Sequence, residues 1–199
     1  MIGSDHPVRL VGCGILRKEF ELLPKSVKDR FNPQFLDSML HMDPTLLEQS
    51  LTSIESGHTD KATVFLYGDC CPGMEELSSG GLKSRTSGLN CIEIYLGRDA
   101  YRKLRKEGTF FLMPEWARRW KEIFQRELGF ETPESAREFM GASMTKALYI
   151  DTGSESIPED ELAEFAKYTG LPVSIQQIGT EHLLEALDEA YRKLEESHG

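Results

Sequence analysis

The sequence predicts a three-layer α/β fold, with a largely parallel sheet of about six strands and helices on both faces. Three observations predict it. Short β-rich runs alternate with amphipathic stretches along the chain. "VRLVGCG" and "KATVFLYG" are nearly continuous apolar runs, as strands covered on both faces are. The stretches between such runs carry capping residues, first-turn prolines and closing glycines. With 199 residues and neither an internal repeat nor a dividing linker, the chain reads as a single domain over 1–199.

The elements follow in order. "VRLVGCG" is the first strand, and "LRKEFELLPKSVKDRF" a helical segment broken or restarted at Pro24. "QFLDSMLH" reads as the second strand. "DPTLLEQSLTSIESG" is a helix capped by Asp43, with Pro44 in its first turn and Gly57 beyond its end. "KATVFLYG" is the third strand, followed by a long glycine- and serine-rich loop, "CPGMEELSSGGLKSRTSGL". "NCIEIYLGRDAYRKLRKEG" predicts one helix with Asn90 as its cap and Glu93 at the reciprocal position. Its expected core face is Ile92, Leu96 and Leu104, flanked by Tyr95 and Tyr101. "TFFLMP" is the fourth strand; "EWARRWKEIFQRELG" and "TPESAREFMGASM" are helices. "TKALYIDTG" is the fifth strand, and "SIPEDELAEFAKYTG" a helix opened by Ser156, Pro158 and Glu159 and closed by Gly170. "LPVSIQQIG" and "TEHLLEALDEAYRKLEE" complete the chain as sixth strand and last helix.

Composition excludes several functions. With 33 acidic against 23 basic residues the net charge is −10, which repels nucleic-acid backbone and anionic lipid alike. No apolar run reaches the roughly 18 residues of a membrane span. The apolar opening is short and runs into "RKEFE", so it reads as a strand and not as a secretory signal. These features assign the chain to the cytoplasm, where thiols stay reduced and four cysteines do not make a disulfide scaffold. Nothing in the sequence specifies an oligomeric state.

Cys13 follows the first apolar run, Cys70 and Cys71 follow the third, and Cys91 opens the helix after the glycine-rich loop. Ligands of open parallel sheets bind at the carboxyl ends of the strands, so all four thiols fall on one edge. A helix N-terminus stabilises a thiolate, and glycines at 12, 14 and 68 allow close backbone approach. Thiolates from separate segments can hold Zn²⁺ or an iron–sulfur cluster with one position left open. The competing reading is plain burial: cysteine packs well, and no CxxC pair is present.

The succession "GCGIL", "LDSMLHMDP", "LYGDC", "NCIEIYLG", "GTFFLMPEWARRW" and "YIDTG" resembles the DUF1638 family of uncharacterised prokaryotic proteins, from about residue 8 to residue 178. The resemblance implies that the family's characteristic cysteines match Cys13, Cys70 and Cys91, with Cys71 as an extra one. It also implies an anaerobic setting and association with corrinoid-dependent methyltransferases.

Other residues complete the expected site. His41, read as the end of the second strand, is a candidate ligand, acid/base or hydrogen-bonding partner, with an ordinary backbone bond as the alternative. His6, His58, His182 and His198 lie in terminal, loop or exposed-helix contexts. The loop "SSGGLKSRTSG" lacks Walker spacing, yet Lys83 and Arg85 are candidates to bind an anion or offset cluster charge. Glu115 in "MPEWARRW" and Asp151 in "YIDTG" are candidate catalytic carboxylates; the helix dipole and a turn bond explain them equally well. Trp116 and Trp120, four apart, suit a core face better than a cofactor wall. Together these residues describe a cytoplasmic metalloprotein of anaerobic metabolism. Its site would hold a [4Fe–4S] cluster or Zn²⁺ through Cys13, Cys70 and Cys91, with His41, Glu115 and Asp151 beside it, acting on a small molecule in a methyl-transfer pathway. The alternatives are a metal-free accessory protein docking a corrinoid protein or small anion, and a redox protein using Cys70 with Cys71.

Overall fold

Strand β1 (Val8–Cys13) forms where aliphatic residues can be covered on both sides, and Leu10 and Val11 in it have no solvent exposure. The computed structural model to which it belongs describes residues 7–197, so His6 and His198 lie outside the described residues. After a single 3₁₀ turn at Gly14–Leu16, two short helices follow, α1 (Arg17–Glu21) and α2 (Lys25–Lys28), with Pro24 immediately before the second. Strand β2 is Phe31–Leu36, three residues earlier than the apolar pattern suggested. Pro33 is tolerated there because β2 is an edge strand. His41 consequently stands on a 3₁₀ turn, Ser38–Met42, and not at a strand end.

Helix α3 (Pro44–Ser56) has the predicted cap: the Asp43 carboxylate accepts from Leu46 N–H at 3.0 Å. Strand β3 (Thr63–Leu66) is buried at every position. The expected loop after it contains two elements too short and polar to register in periodicity: α4 (Met74–Leu77) and β4 (Lys83–Arg85). The expected helix from Asn90 to Glu107 is divided into α5 (Cys91–Leu96) and α6 (Arg98–Lys106). The break is Gly97, whose φ of 79° no helix accommodates. The break also changes which residues are covered: Ile94, Tyr95 and Tyr101 are buried, while Ile92 and Leu104 are half-buried.

Strand β5 (Thr109–Leu112) leads to α7 (Pro114–Arg118), which passes into a wider π turn over Glu122–Glu127 before Gly129. Helix α8 (Pro133–Ser143) is capped by Thr132, strand β6 is Lys146–Asp151, and helix α9 (Glu159–Thr169) ends at Gly170 in the left-handed conformation. Ser156 does not cap α9; Pro158 occupies that position. Strand β7 (Val173–Gln177) and helix α10 (Glu181–Glu196) complete the chain.

The architecture is α/β and every strand pairing is parallel, as the sequence predicts. The strands, seven among the described residues, are distributed over two sheets and not one: β2-β1-β3-β4 and β5-β6-β7. The chain divides accordingly into two units. The first runs to Tyr95 and is rejoined by the chain from Thr180 onward; the second is Leu96–Gly179. In the first unit α10 packs on β4 and β3, and Ser84 Oγ donates to Ala190 O at 2.7 Å. In the second, Phe110, Trp120, Phe124, Phe165 and Tyr168 form a linked aromatic cluster.

The order β2-β1-β3-β4 decides where a site can form. The chain leaves β1 toward β2 on one side and leaves β3 toward β4 on the other. The carboxyl ends of β1 and β3 therefore flank a topological switch point, where such sheets open a crevice. Among the described residues no helix is long and apolar enough to cross a membrane.

Candidate functional site

Cys13 is the last residue of β1, 7% exposed, and begins the turn that leads to α1. A Cβ on Gly14 would stand 2.6 Å from Leu36 O, so the turn after Cys13 lies directly on the end of β2. Tyr67 follows β3 and is buried; its hydroxyl donates to Gly12 O at 3.1 Å, tying the end of β3 to the end of β1. Gly68 comes next. A Cβ there would lie 2.4 Å from Asn90 N, a backbone-to-backbone approach that only glycine permits.

That approach brings the start of α5 against the loop after β3. Asp69 N–H donates to Leu89 O at 3.0 Å, Thr86 Oγ1 donates to Tyr67 O at 3.0 Å, and Asn90 Oδ1 accepts from Glu93 N–H at 2.9 Å. The Glu93 carboxylate reaches back to Leu89 N–H, completing a capping box displaced by one residue. Cys91, the first residue of α5, is thereby delivered to the β1–β3 crevice.

There the side chains form a string. Cys91 is in hydrogen-bond contact with both Cys13 and Cys70, and Cys70 is also bonded to His41. The hydrogen bond from Cys91, with that of His41, the imidazole's charge and a bond to the Gly68 backbone, holds the Cys70 thiol down at about 5 against the opposition of burial. Cys91 is pushed well above the usual thiol range, because its bonds to Cys13 and Cys70 retain its proton and burial disfavours its charge. Burial, then Glu48, then Cys70 raise Cys71, which stands off the string. Burial, reinforced by the four surrounding thiols, keeps the Tyr67 phenol protonated. All four cysteines are buried thiols with no disulfide among them. His41 itself is exposed and forms the solvent side of the group.

The remaining candidates have local partners. Lys83 Nζ lies 3.0 Å from the buried Glu55 carboxylate, which also holds Arg9 at 3.0 Å. Arg85 pairs with Asp69 at 2.7 Å, one residue before Cys70. In the second unit, Glu115 in the first turn of α7 pairs with Arg119 at 3.1 Å, and Asp151 Oδ1 accepts from Gly153 N–H at 3.0 Å in a turn. Trp120 belongs to the aromatic cluster, and Trp116 is half-buried. Sequence reasoning passed over Tyr67, Asp69 and Glu55. The signal for Tyr67 was a phenol closing an apolar strand, since a hydroxyl in such a place needs a buried acceptor.

Among the described residues no three His, Cys, Asp or Glu side chains stand where they could hold a metal ion together. No curated protein and no solved structure matches the chain. A family model does, over residues 35–187, a span that takes in His41, Cys70, Cys91, Glu115 and Asp151; it describes a protein of unknown function. The chain, with its thiol string at the β1–β3 crevice, belongs to the DUF1638 family.

Proposed function

We propose that the protein is a cytoplasmic metalloprotein whose Cys13, Cys70 and Cys91 hold Zn²⁺ or a [4Fe–4S] cluster at the switch point of the first sheet. The observation that carries the reading is the string Cys13–Cys91–Cys70–His41, drawn from four separate segments, in which each side chain is hydrogen-bonded to the next. The donors fit the group by chemical type: three soft thiols with an imidazole is a zinc set, and three thiols with one open position suit a cluster that binds substrate. The thiols are linked through S–H hydrogens and not yet arranged around one point, so loading would release the proton that Cys91 retains. When bound, the metal would supply Lewis acidity or, as a cluster, an electron-carrying centre.

The chain's own residues do the rest. Cys70 is already biased to the thiolate. His41 supports it by hydrogen bond and faces solvent, where it can pass a proton to or from an incoming group. Tyr67, bonded to Gly12 O, fixes the β1 and β3 segments that carry Cys13 and Cys70. A small molecule of an anaerobic methyl-transfer pathway is the substrate class we assign to the site, with a corrinoid protein as the alternative partner. Glu115 and Asp151 belong to the second unit, where Arg119 and the Gly153 N–H are their partners, and the reading does not draw on them. Lys83 and Arg85, already paired with Glu55 and Asp69, are better placed to balance local charge than to capture an anion.

One observation favours a second, metal-free reading. A thiolate bonded to an imidazole is also the arrangement of a nucleophilic cysteine, and Cys70 with His41 has it. Metal and acid-labile sulfide analysis of anaerobically purified protein, with its visible spectrum, separates the two. Stoichiometric zinc or iron that is lost in Cys13→Ser, Cys70→Ser and Cys91→Ser but kept in Cys71→Ser supports the metal site. Metal-free protein whose Cys70 alone reacts rapidly with alkylating agents supports the nucleophile.

A further inference from the structure

The second sheet ends in an edge that nothing within its own unit protects. Strand β7 has one neighbour, β6. Ala147 N–H donates to Pro172 O at 2.9 Å, and Ile178 N–H donates to Asp151 O at 2.9 Å. Bonding in a parallel ladder alternates along the strand, so positions 172, 174, 176 and 178 face β6. Val173, Ile175 and Gln177 therefore turn their backbone N–H and C=O groups outward.

Parallel strands are ordinarily covered on both faces, yet Ser174, Ile175, Gln176 and Gln177 are all exposed, Ile175 by 49%. Edge strands are usually blunted by lysine, proline or a bulge. Here the pairing with β6 runs residue for residue without a bulge, and Val173–Gln177 contains neither lysine nor proline. The edges of the first sheet are managed differently: β2 carries Pro33, and β4 is bonded to α10 through Ser84. The whole stretch "LPVSIQQIGT", Leu171 to Thr180, has no ionisable side chain in a chain of net charge −10.

We propose that β7 is a self-association edge, along which two copies of this chain pair antiparallel about a twofold axis through Ile175. The charge pattern selects a second copy as the occupant. A strand without charges meets itself with no like charges in the pairing rows, whereas the rest of this acidic surface repels its own copy. A twofold axis generates an antiparallel pair, and the register centred on Ile175 sets Ile175 against its mate and Val173 against Gln177. The outward backbone groups then find partners, and the two exposed isoleucines cover each other. The inference stands apart from the thiol chemistry.

Light scattering and analytical ultracentrifugation on the full chain test it. The wild type is expected to be a dimer that tightens as salt rises, because salt screens the repulsion between two acidic bodies. Ile175→Pro removes an outward N–H while leaving the bonds to β6, and is expected to be monomeric. Ile175→Lys opposes two ammonium groups across the axis and is expected to weaken the dimer at least about tenfold. Should Ile175→Pro fail to fold, Ile175→Lys, with unchanged circular dichroism, decides the matter. A wild type that is monomeric at all concentrations overturns the proposal, even if it captures some other extended peptide. So does a dimer indifferent to Ile175→Lys.

Discussion

Cys70 and Cys91 show what a hydrogen bond between like groups does in a buried place. One thiol keeps the proton and the other becomes the anion, so their titrations move in opposite directions. The folded Cys70 titrates at about 5, below the roughly 8.5 of a free thiol. Its thiolate therefore contributes stability in full above the free-thiol value, and that contribution is lost as pH falls through about 5. Cys91, shifted upward, contributes below its free-thiol value and loses that contribution as pH rises through its raised one. In metal-free protein, ultraviolet thiolate absorbance should titrate with a midpoint near 5 that disappears in Cys70→Ser and moves upward in His41→Ala. A midpoint unchanged by His41→Ala would sink the assigned role of the imidazole. Gly68 supplies the sharpest packing test. Alanine there places a methyl group against the Asn90 backbone, and urea denaturation should report a loss of about 1–3 kcal/mol together with a disturbed Cys70 titration.

At the level of elements, the site depends on how α5 starts. Asn90 caps it and Glu93 returns the bond, so Cys91 is held at a defined first-turn position. Asn90→Ala should cost about 1 kcal/mol in denaturant titrations and leave the remaining secondary structure intact. These caps were legible in the sequence because they are encoded within four residues. So were Asp43 on α3 and Gly170 after α9. The second strand departs from its local pattern for the opposite reason. "QFLDSMLH" has the better apolar composition, but pairing with β1 in the register Val8 to Phe31 selects "FNPQFL". The one-helix reading of "NCIEIYLGRDAYRKLRKEG" failed at Gly97, since a glycine inside a helical pattern is tolerable in itself and its left-handed backbone is imposed by the surroundings.

For the whole molecule, the return of the chain at Thr180 matters most. Helix α10 belongs to the unit that carries the cysteines, and Leu183, Leu187 and Leu194 on it have no exposure. Ending the chain at Gly179 should remove more than about 5 kcal/mol of apolar burial from that unit. The expected outcome is loss of its cooperative unfolding transition, with loss of the Cys70 titration; a truncated protein that keeps both would contradict the division of the chain. The sequence by itself determined the α/β class, the parallel strands, most helix ends and the candidate thiols, because burial periodicity and capping act over a few neighbouring residues. The tertiary structure alone decided that there are two sheets, that Gly68 meets Asn90, and that Cys13, Cys91, Cys70 and His41 touch in sequence while Cys71 does not join them. Those outcomes rest on pairings between segments tens of residues apart, and no local pattern specifies which buried surface will find which.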